Sequence, residues 1–158
     1  MEEQEIKAAC LNLMETTDVM YLSTIGSDGF PYTRIMSNLR CKKEYPGLVK
    51  MFEQHKEDFL VYIVTSGSSV KMKQILDNPK ASVHFSFYSP KPSEFHSLML
   101  GGEIEEVADK QLKKQLWKDG WEMFWPGGVD DPEYTVLMLK PAFARGGYKE
   151  KPFEFKLK

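Results

Sequence analysis

Residues 61–85 read VYIVTSGSSVKMKQILDNPKASVHF, and the order of residue types in this stretch decides the fold. The stretch begins inside an apolar, β-branched run over residues 59–65, which predicts a buried strand. Apolar residues at helical spacing over 69–77, with a serine at the start and Asn78-Pro79 at the end, predict a short helix. Alternation over 81–88 then predicts the next strand. This order favours a sheet that carries a helix on its surface.

The remaining segments add strands and short helices, and no repeat or linker divides the chain. GSDG at residues 26–29 predicts a hairpin turn, because Asp and Gly tolerate the positive φ angles that such turns need. Gly101-Gly102 within a strand predicts a β-bulge. The other predicted strands are Val19–Ile25, Tyr32–Leu39, Phe95–Val107, Thr135–Leu139 and a tail strand within residues 143–157, and the other predicted helices are Glu3–Thr16, Leu48–Gln54 and Asp109–Lys118. The pattern predicts a small, mainly β barrel with helices packed outside.

Length and composition narrow the classes of function. The chain has 158 residues, a formal net charge of −2 and no run of basic residues, so we expect one domain and neither nucleic acid nor membrane as a partner. No apolar stretch approaches about 18 residues, and the start MEEQEIK is acidic rather than signal-like. Cys10 and Cys41 have no CxxC spacing and predict no disulfide framework. The cytoplasm is therefore the expected location.

The stretch TSGSSVKM, Thr65–Met72, admits two interpretations. A strand that leads into Gly67 and a helix that begins near Ser69 would aim unpaired N–H groups and the positive end of the helix dipole at one spot. The hydroxyl groups and Lys71 around that spot would suit a phosphate. The alternative is a serine-capped helix with a solvated lysine, and this motif alone does not separate the two.

Arg34 strengthens the phosphate interpretation. It lies in RIMSNL, residues 34–39, where strand alternation places Arg34, Met36 and Asn38 on one face. An arginine on a strand face is often only solvated, but its planar guanidinium can bind a phosphate through two parallel hydrogen bonds. Two cations and a helix start therefore predict one phosphate-binding site.

Four segments together resemble a known family. They are GSDGFPYTRIM at residues 26–36, the stretch 61–85 quoted above, LGGEIEEVADKQLKKQLW at 100–117 and FWPGGVDDPEYTVLMLKP at 124–141. Their order resembles the FMN-binding split-barrel proteins related to pyridoxamine 5′-phosphate oxidase, and within them the general-stress-protein-like branch. The resemblance implies a six-stranded antiparallel split β-barrel with short flanking helices, formed by a single domain over residues 1–158. Its fold class is mainly β (α+β).

The resemblance also implies FMN in a groove between the two subunits of a homodimer. The residues implied at the cofactor are Arg34, Ser69, Lys71 and Ser66 at the phosphate, and the backbone of Ile35, Met36, Val64 and Thr65 along the flavin ring and ribityl chain. The charges and the helix start agree independently with the phosphate part, because two cations and free N–H groups offset a dianion. The flavin ring rests on the resemblance alone.

Departures from the family pattern limit the expected activity. Pyridoxamine 5′-phosphate oxidases carry an arginine-containing pattern near the C-terminus, whereas this chain ends in KEKPFEFKLK, so that activity itself is not expected. Related stress proteins often have a Tyr-Trp pair where this chain has residues 144–147, ARGG, so one wall of the flavin site is open or formed by Arg145.

Three functions remain open at this point. The first is an FMN-dependent oxidoreductase that moves reducing equivalents from a nicotinamide-type donor to a small-molecule acceptor. The second is a non-catalytic module that stores or senses flavin. The third is a split barrel that uses another cofactor, haem or a deazaflavin. No residue set has metal-ligand spacing, and no catalytic residue is predicted, since the flavin itself supplies the redox chemistry.

Overall fold

The structure is a computed structural model that describes residues 2–158, and its helices follow the predicted pattern closely. The helices are α1 (Glu3–Thr16), α2 (Val49–Phe52), α3 (Val70–Asp77) and α4 (Lys110–Leu116), with short 3₁₀ turns between several elements. The bounds of α1 are as predicted. The helix α4 starts one residue late because Asp109 is its N-cap, whose carboxylate accepts hydrogen bonds from the backbone of Gln111 and Leu112.

Antiparallel strands form one curled sheet. The strands are β1 (Val19–Ile25), β2 (Pro31–Ser37), β3 (Val61–Ser66), β4 (Lys80–Phe87), β5 (His96–Glu106), β6 (Tyr134–Tyr148) and β7 (Lys151–Lys156). Along the sheet the order is β2-β1-β4-β5-β6-β3, and β7 pairs with β6. The six strands on this path confirm the predicted split barrel, which is mainly β with short helices.

The C-terminal strands differ from the prediction. The predicted strand Thr135–Leu139 and the start of the predicted tail strand are one continuous strand, β6, because β5 pairs with it from Leu137 to Tyr148. The chain then turns at Lys149 and Glu150, both with positive φ, and returns as β7. The two strands β3 and β7 therefore occupy successive halves of the same edge of β6.

Two strand ends also differ from their predicted positions, each for a reason that the structure shows. The strand β3 begins at Val61 rather than Phe59, because the backbone of Phe59 has a φ of 56°, which a regular strand does not adopt. The strand β2 ends at Ser37 rather than Leu39, because the Asn38 side chain donates hydrogen bonds to the carbonyl groups of Met14 and Thr17. Asn38 thus joins the end of β2 to the end of α1.

The predicted turn and bulge are confirmed. Residues 26–29 connect β1 to β2 in the hairpin register Ile25↔Pro31, and Gly29 has a φ of 82°. The pairing of β5 with β6 shifts register between Gly101 and Gly102. A Cβ atom at Gly102 would lie 2.4 Å from the carbonyl oxygen of Lys140, so the close approach of the two strands there requires glycine.

Two clusters of buried side chains stabilise the barrel. The first fills the barrel and includes Cys10 of α1, whose burial raises the pKa of its thiol to about 12. The second lies beside β3 and β6 and includes Leu48 and Phe52 from the segment 40–58. Within residues 2–158, no helix combines the length and the apolar character needed to cross a membrane.

Candidate functional site

The segment predicted to bind phosphate lies where β3 ends and α3 begins. Antiparallel pairing with β6 brings β3 to its end at Ser66. The chain then turns through Gly67 and Ser68, and Ser69 is the N-cap of α3, with an extended backbone. We call the surroundings of Thr65, Ser69, Lys71 and Arg34 the cradle.

Arg34 reaches the cradle from β2. Its position opposite Leu22 in the hairpin register places its side chain on the same face as the core residues of β1. The Nη1 atom donates to Thr24 Oγ1 at 2.7 Å and to the carbonyl oxygen of Tyr32 at 3.0 Å, while Nη2 donates to Gln74 Oε1 at 3.0 Å. These bonds hold the guanidinium in one orientation.

Lys71 lies in the first turn of α3 and points back towards β3. Its Nζ donates to Thr65 Oγ1 at 2.8 Å, and the Thr65 side chain is buried. The pKa of Lys71 is lowered from its ordinary value, mainly by burial and further by the positive charge of Arg34. The two cations are thus close enough to repel each other.

No carboxylate neutralises this pair of cations. Neither Arg34 nor Lys71 forms an ion pair with any residue of the described chain, 2–158. Burial also lowers the pKa of Arg34, which means that its charged form loses solvation without a compensating anion. Two partly buried like charges are unfavourable unless an anion offsets them, so the cradle is suited to an anionic ligand.

The start of α3 adds hydrogen-bond donors. The Ser69 side chain does not cap the helix; its Oγ lies 3.4 Å from Thr65 Oγ1 instead. Among the hydrogen bonds of residues 2–158, the backbone N–H groups of Val70 and Lys71 have no acceptor. Ser69 is thus the N-cap residue, as predicted, but its hydroxyl bonds no backbone N–H group of the helix, and the first turn keeps donors free for a ligand.

The rest of the turn is held by its neighbours. The Ser66 hydroxyl accepts a hydrogen bond from Trp125 Nε1 at 3.1 Å. The carboxylate of Glu133 accepts bonds from both the backbone N–H and the hydroxyl of Ser68, and its backbone carbonyl accepts from Gly67 N–H. These contacts fix the shape of the turn between β3 and α3.

The predicted site residues fall into two groups. The side chains of Arg34, Thr65, Ser69 and Lys71 converge on the cradle, with Ser66 at its margin. Val64 is partly buried, Met36 faces the core of the barrel, and Ile35 is 61% exposed. A contact of the last three with a flavin ring, through their backbone, remains a prediction.

Two residues of the cradle, Thr24 and Gln74, were not predicted from the sequence. Gln74 lies three positions after Lys71 and hence on the same helical face, which is a signal that the sequence contains. Thr24 lies on the same face of β1 as the buried residues Met20 and Leu22. A polar hydroxyl at such an inward position is the feature of the sequence that could have identified Thr24.

A large cavity lies on the outer face of the sheet. Its volume is about 980 Å³, and residues of β1, β4, β5 and β6 line it, among them Thr24, Met99, Gly101 and Phe143. The Phe143 ring packs directly over Gly101, where a Cβ atom would lie 2.3 Å from the ring. The cavity therefore has an apolar floor, which lies on the face of the sheet opposite to the inward side chains of Thr24 and Arg34.

Comparison with known proteins places this geometry in context. A family model described as pyridoxamine 5′-phosphate oxidase like matches residues 49–150, which is more than half of the chain and includes the turn between β3 and α3. Arg34 lies outside the matched range. A search of curated proteins gives no match.

Solved structures share the fold over nearly the whole chain. A protein from Clostridium acetobutylicum related to general stress protein 26 of B. subtilis (pyridoxinephosphate oxidase family) is 25% identical, with a TM-score of 0.73 and coverage of 98% of this chain and 96% of that chain. General stress protein 26 from Bacillus anthracis is 19% identical, with a TM-score of 0.70 and coverage of 97% and 99%. A heme binding protein from Mycobacterium smegmatis is 14% identical, with a TM-score of 0.67 and coverage of 95% and 57%.

Proposed function

The chain belongs to the pyridoxamine 5′-phosphate oxidase-like family, and on this premise we propose that it binds FMN and acts as an oxidoreductase. The observation that carries the proposal is the pair of partly buried cations, Arg34 and Lys71, with no carboxylate partner in the described chain and with free N–H groups beside them. A phosphate monoester dianion offsets both charges and accepts these hydrogen bonds.

The residues of the cradle fit the phosphate end of FMN. Arg34 and Lys71 would supply the charges, and Ser69 and the first turn of α3 the neutral donors. When bound, FMN accepts a hydride or single electrons, while the protein binds and orients it. Arg34, fixed by its hydrogen bonds to β1 and α3, would hold the phosphate end in one place and thereby set the position of the rest of the ligand.

The proposed reaction passes reducing equivalents from a nicotinamide-type donor to a small acceptor. The sequence has no GxGxxG fingerprint, so the donor would approach the flavin directly rather than occupy a separate dinucleotide domain. The cavity of about 980 Å³ on the outer face of the sheet is large enough for a small molecule. Its apolar floor suits an aromatic or other planar molecule.

We place the flavin at a homodimer interface. Apolar side chains on the outer face of β1 and β2 support this arrangement: Tyr21 is 38% and Ile35 61% exposed, and the two residues are direct neighbours in the hairpin register. Apolar patches of this kind are typical of surfaces that a second chain covers. The same face continues into the large cavity, so a second subunit would also close the cavity.

Two alternatives use the same fold. A storage or sensing module would bind FMN without turnover. A haem-binding module is suggested by the similarity to the Mycobacterium smegmatis protein. FMN is favoured over haem because the two cations Arg34 and Lys71 and the free N–H groups at the start of α3 suit a phosphate monoester, which FMN carries and haem does not.

The test separates these functions by following bound FMN. The purified protein is loaded with FMN, mixed anaerobically with NADH or NADPH, and then exposed to candidate acceptors such as quinones or nitroaromatic compounds. Bleaching of the flavin absorption by the donor and its return with the acceptor are expected. Bound FMN that neither donor reduces would contradict an oxidoreductase fed by nicotinamides and favour storage. Binding of haem in preference to FMN would overturn the flavin assignment.

A further inference from the structure

Gln74 makes a set of contacts that the proposed function does not by itself require. This residue lies on α3, and its amide oxygen accepts two hydrogen bonds, from Thr24 Oγ1 at 2.6 Å and from Arg34 Nη2 at 3.0 Å. Arg34 Nη1 in turn donates to Thr24 Oγ1 at 2.7 Å. The three side chains therefore form a closed ring of hydrogen bonds that joins β1, β2 and α3.

The ring determines which donors of Arg34 remain free. A guanidinium has five N–H groups, and the Nη1 donors are taken by Thr24 and by backbone carbonyl groups of β1 and β2. One Nη2 hydrogen is taken by Gln74. In the described chain the Nε–H has no acceptor, so the free donors are Nε–H and the second Nη2 hydrogen. These two donors form the edge of the guanidinium that binds an oxyanion with two parallel bonds.

The ring also relates the two cations to each other. Lys71 and Gln74 are three positions apart on α3, so they share one helical face. A bond from Gln74 to Arg34 therefore sets the position of the guanidinium relative to the helix that carries Lys71. Without an acceptor at Gln74, the positive charge of Lys71 would push the guanidinium away, since the two charges already repel each other.

From these contacts we propose that Gln74 is a positioning residue for phosphate binding. Together with Thr24, it holds Arg34 so that its free edge and Lys71 receive the same phosphate monoester. This inference rests on the proposed FMN function. Gln74 itself does not contact the ligand in this arrangement. Because it acts only on the groups that bind the phosphate, it should affect the binding of a phosphorylated flavin and not that of an unphosphorylated one.

The experiment compares FMN with riboflavin, which lacks the phosphate. Dissociation constants of both are measured by fluorescence quenching for the wild-type protein and for Gln74→Met, which keeps the length of the side chain but removes the acceptor. Affinity for FMN should fall about tenfold or more, because Arg34 is no longer held where its free edge and Lys71 receive the same phosphate, while affinity for riboflavin stays the same. Lys73→Met, a change at the exposed neighbouring position, is the matched control and should leave the FMN-to-riboflavin ratio close to that of the wild type.

A second pair of variants tests the ring without altering α3. Thr24→Val removes the hydroxyl at constant shape, and Thr24→Ser keeps it. The valine variant should lose FMN selectivity and the serine variant should retain it. A double-mutant cycle of Gln74→Met with Arg34→Met gives the third readout, because Gln74→Met should have no further effect once Arg34 is absent.

The possible results distinguish this inference from the proposed function. A wild-type protein that binds neither flavin would contradict the proposed function itself. A wild-type protein that prefers FMN, together with Gln74→Met and Thr24→Val variants of unchanged FMN-to-riboflavin ratio, would overturn only the positioning role. Additive effects of Gln74→Met and Arg34→Met would overturn it as well.

Discussion

At the scale of single residues, Lys71 carries the most direct consequence of the proposed site. Its Nζ contacts Thr65 and no carboxylate of the described chain. The positive charge of Lys71 therefore forms no ion pair that would stabilise the fold. Lys71→Ala should weaken FMN binding by about 1–3 kcal/mol, because a charge-assisted contact to the phosphate is lost. Isothermal titration with FMN measures the effect. An unchanged dissociation constant would remove Lys71 from the site.

A substitution at Arg34 tests whether phosphate binding needs the planar guanidinium or only a positive charge. Arg34→Lys keeps one positive charge but loses the planar fork and the bonds to Thr24 and Gln74. FMN affinity should fall, measured by the same titration, while riboflavin affinity should not. Equal FMN affinity in the two proteins would show that a point charge suffices and that the fork has no role.

The lowered pKa of Lys71 gives the site a pH dependence of defined sign. Burial and the charge of Arg34 favour the neutral amine, whereas a bound phosphate favours the ammonium form. FMN affinity should therefore decrease as the pH rises through the pKa of Lys71 in the free protein, because the neutral amine provides no charge. Dissociation constants measured from neutral to alkaline pH should show this decline in the wild type but not in Lys71→Met. The same decline in both proteins would assign it to another group.

At the scale of elements, the bulge in β5 gives a test of the barrel itself. A Cβ atom at Gly102 would lie 2.4 Å from the carbonyl oxygen of Lys140 and 3.1 Å from Pro141 Cα, and both are backbone atoms. Gly102→Ala should lower the free energy of unfolding by about 1–3 kcal/mol, because the paired strands must separate to admit the methyl group. Urea denaturation measures the loss.

Gly47→Ala is the matched control for that variant. Nothing lies within 4 Å of a Cβ atom at Gly47, and its φ is not positive, so the change should be close to neutral or slightly stabilising. A loss of similar size in both variants would mean that the close approach of β5 and β6 does not determine the cost.

Elements were largely predictable from the sequence because their signals are local. The apolar period of α1, the GSDG turn and the Gly101-Gly102 pair each act over a few residues, and all three predictions hold. The tail of the chain was not predictable in the same way. Whether residues 140–148 continue β6 depends on pairing with β5, which is distant in sequence.

In the cradle, too, the side chains whose role depends on contacts between distant parts of the chain were not predicted from the sequence. Arg34, Ser69 and Lys71 were predicted because each residue type suits a phosphate. Thr24 and Gln74 were missed because their role depends on contacts with Arg34 that only the folded sheet creates. Ser69 was correctly predicted as the N-cap of α3, but the direction of its hydroxyl, towards Thr65 rather than the helix backbone, depends on a tertiary contact in the same way.

At the scale of the whole molecule, the proposed homodimer leads to a prediction about assembly. Tyr21 is 38% exposed on the outer face of β1 and lies opposite Ile35 of β2. Tyr21→Lys should shift the protein from dimer to monomer, because a charge would be buried without a partner in the interface. Sedimentation velocity at several concentrations measures the shift.

The matched control for the interface is Met123→Lys. Met123 is 78% exposed and lies in the short 3₁₀ turn Trp121–Met123 after α4, which belongs to neither β1 nor β2. This variant should remain dimeric. A wild-type protein that is monomeric at all concentrations, or a Tyr21→Lys variant that stays dimeric, would contradict the proposed interface.

The most direct test of the whole account is an FMN titration of the purified protein, followed by visible absorption and compared with the same titration by riboflavin. We expect saturable FMN binding with a perturbed flavin spectrum and clearly weaker riboflavin binding, because Arg34 and Lys71 bind the phosphate. A spectrum that does not change on addition of FMN, or equal affinity for the two flavins, would contradict the assignment of the turn between β3 and α3 as a phosphate site.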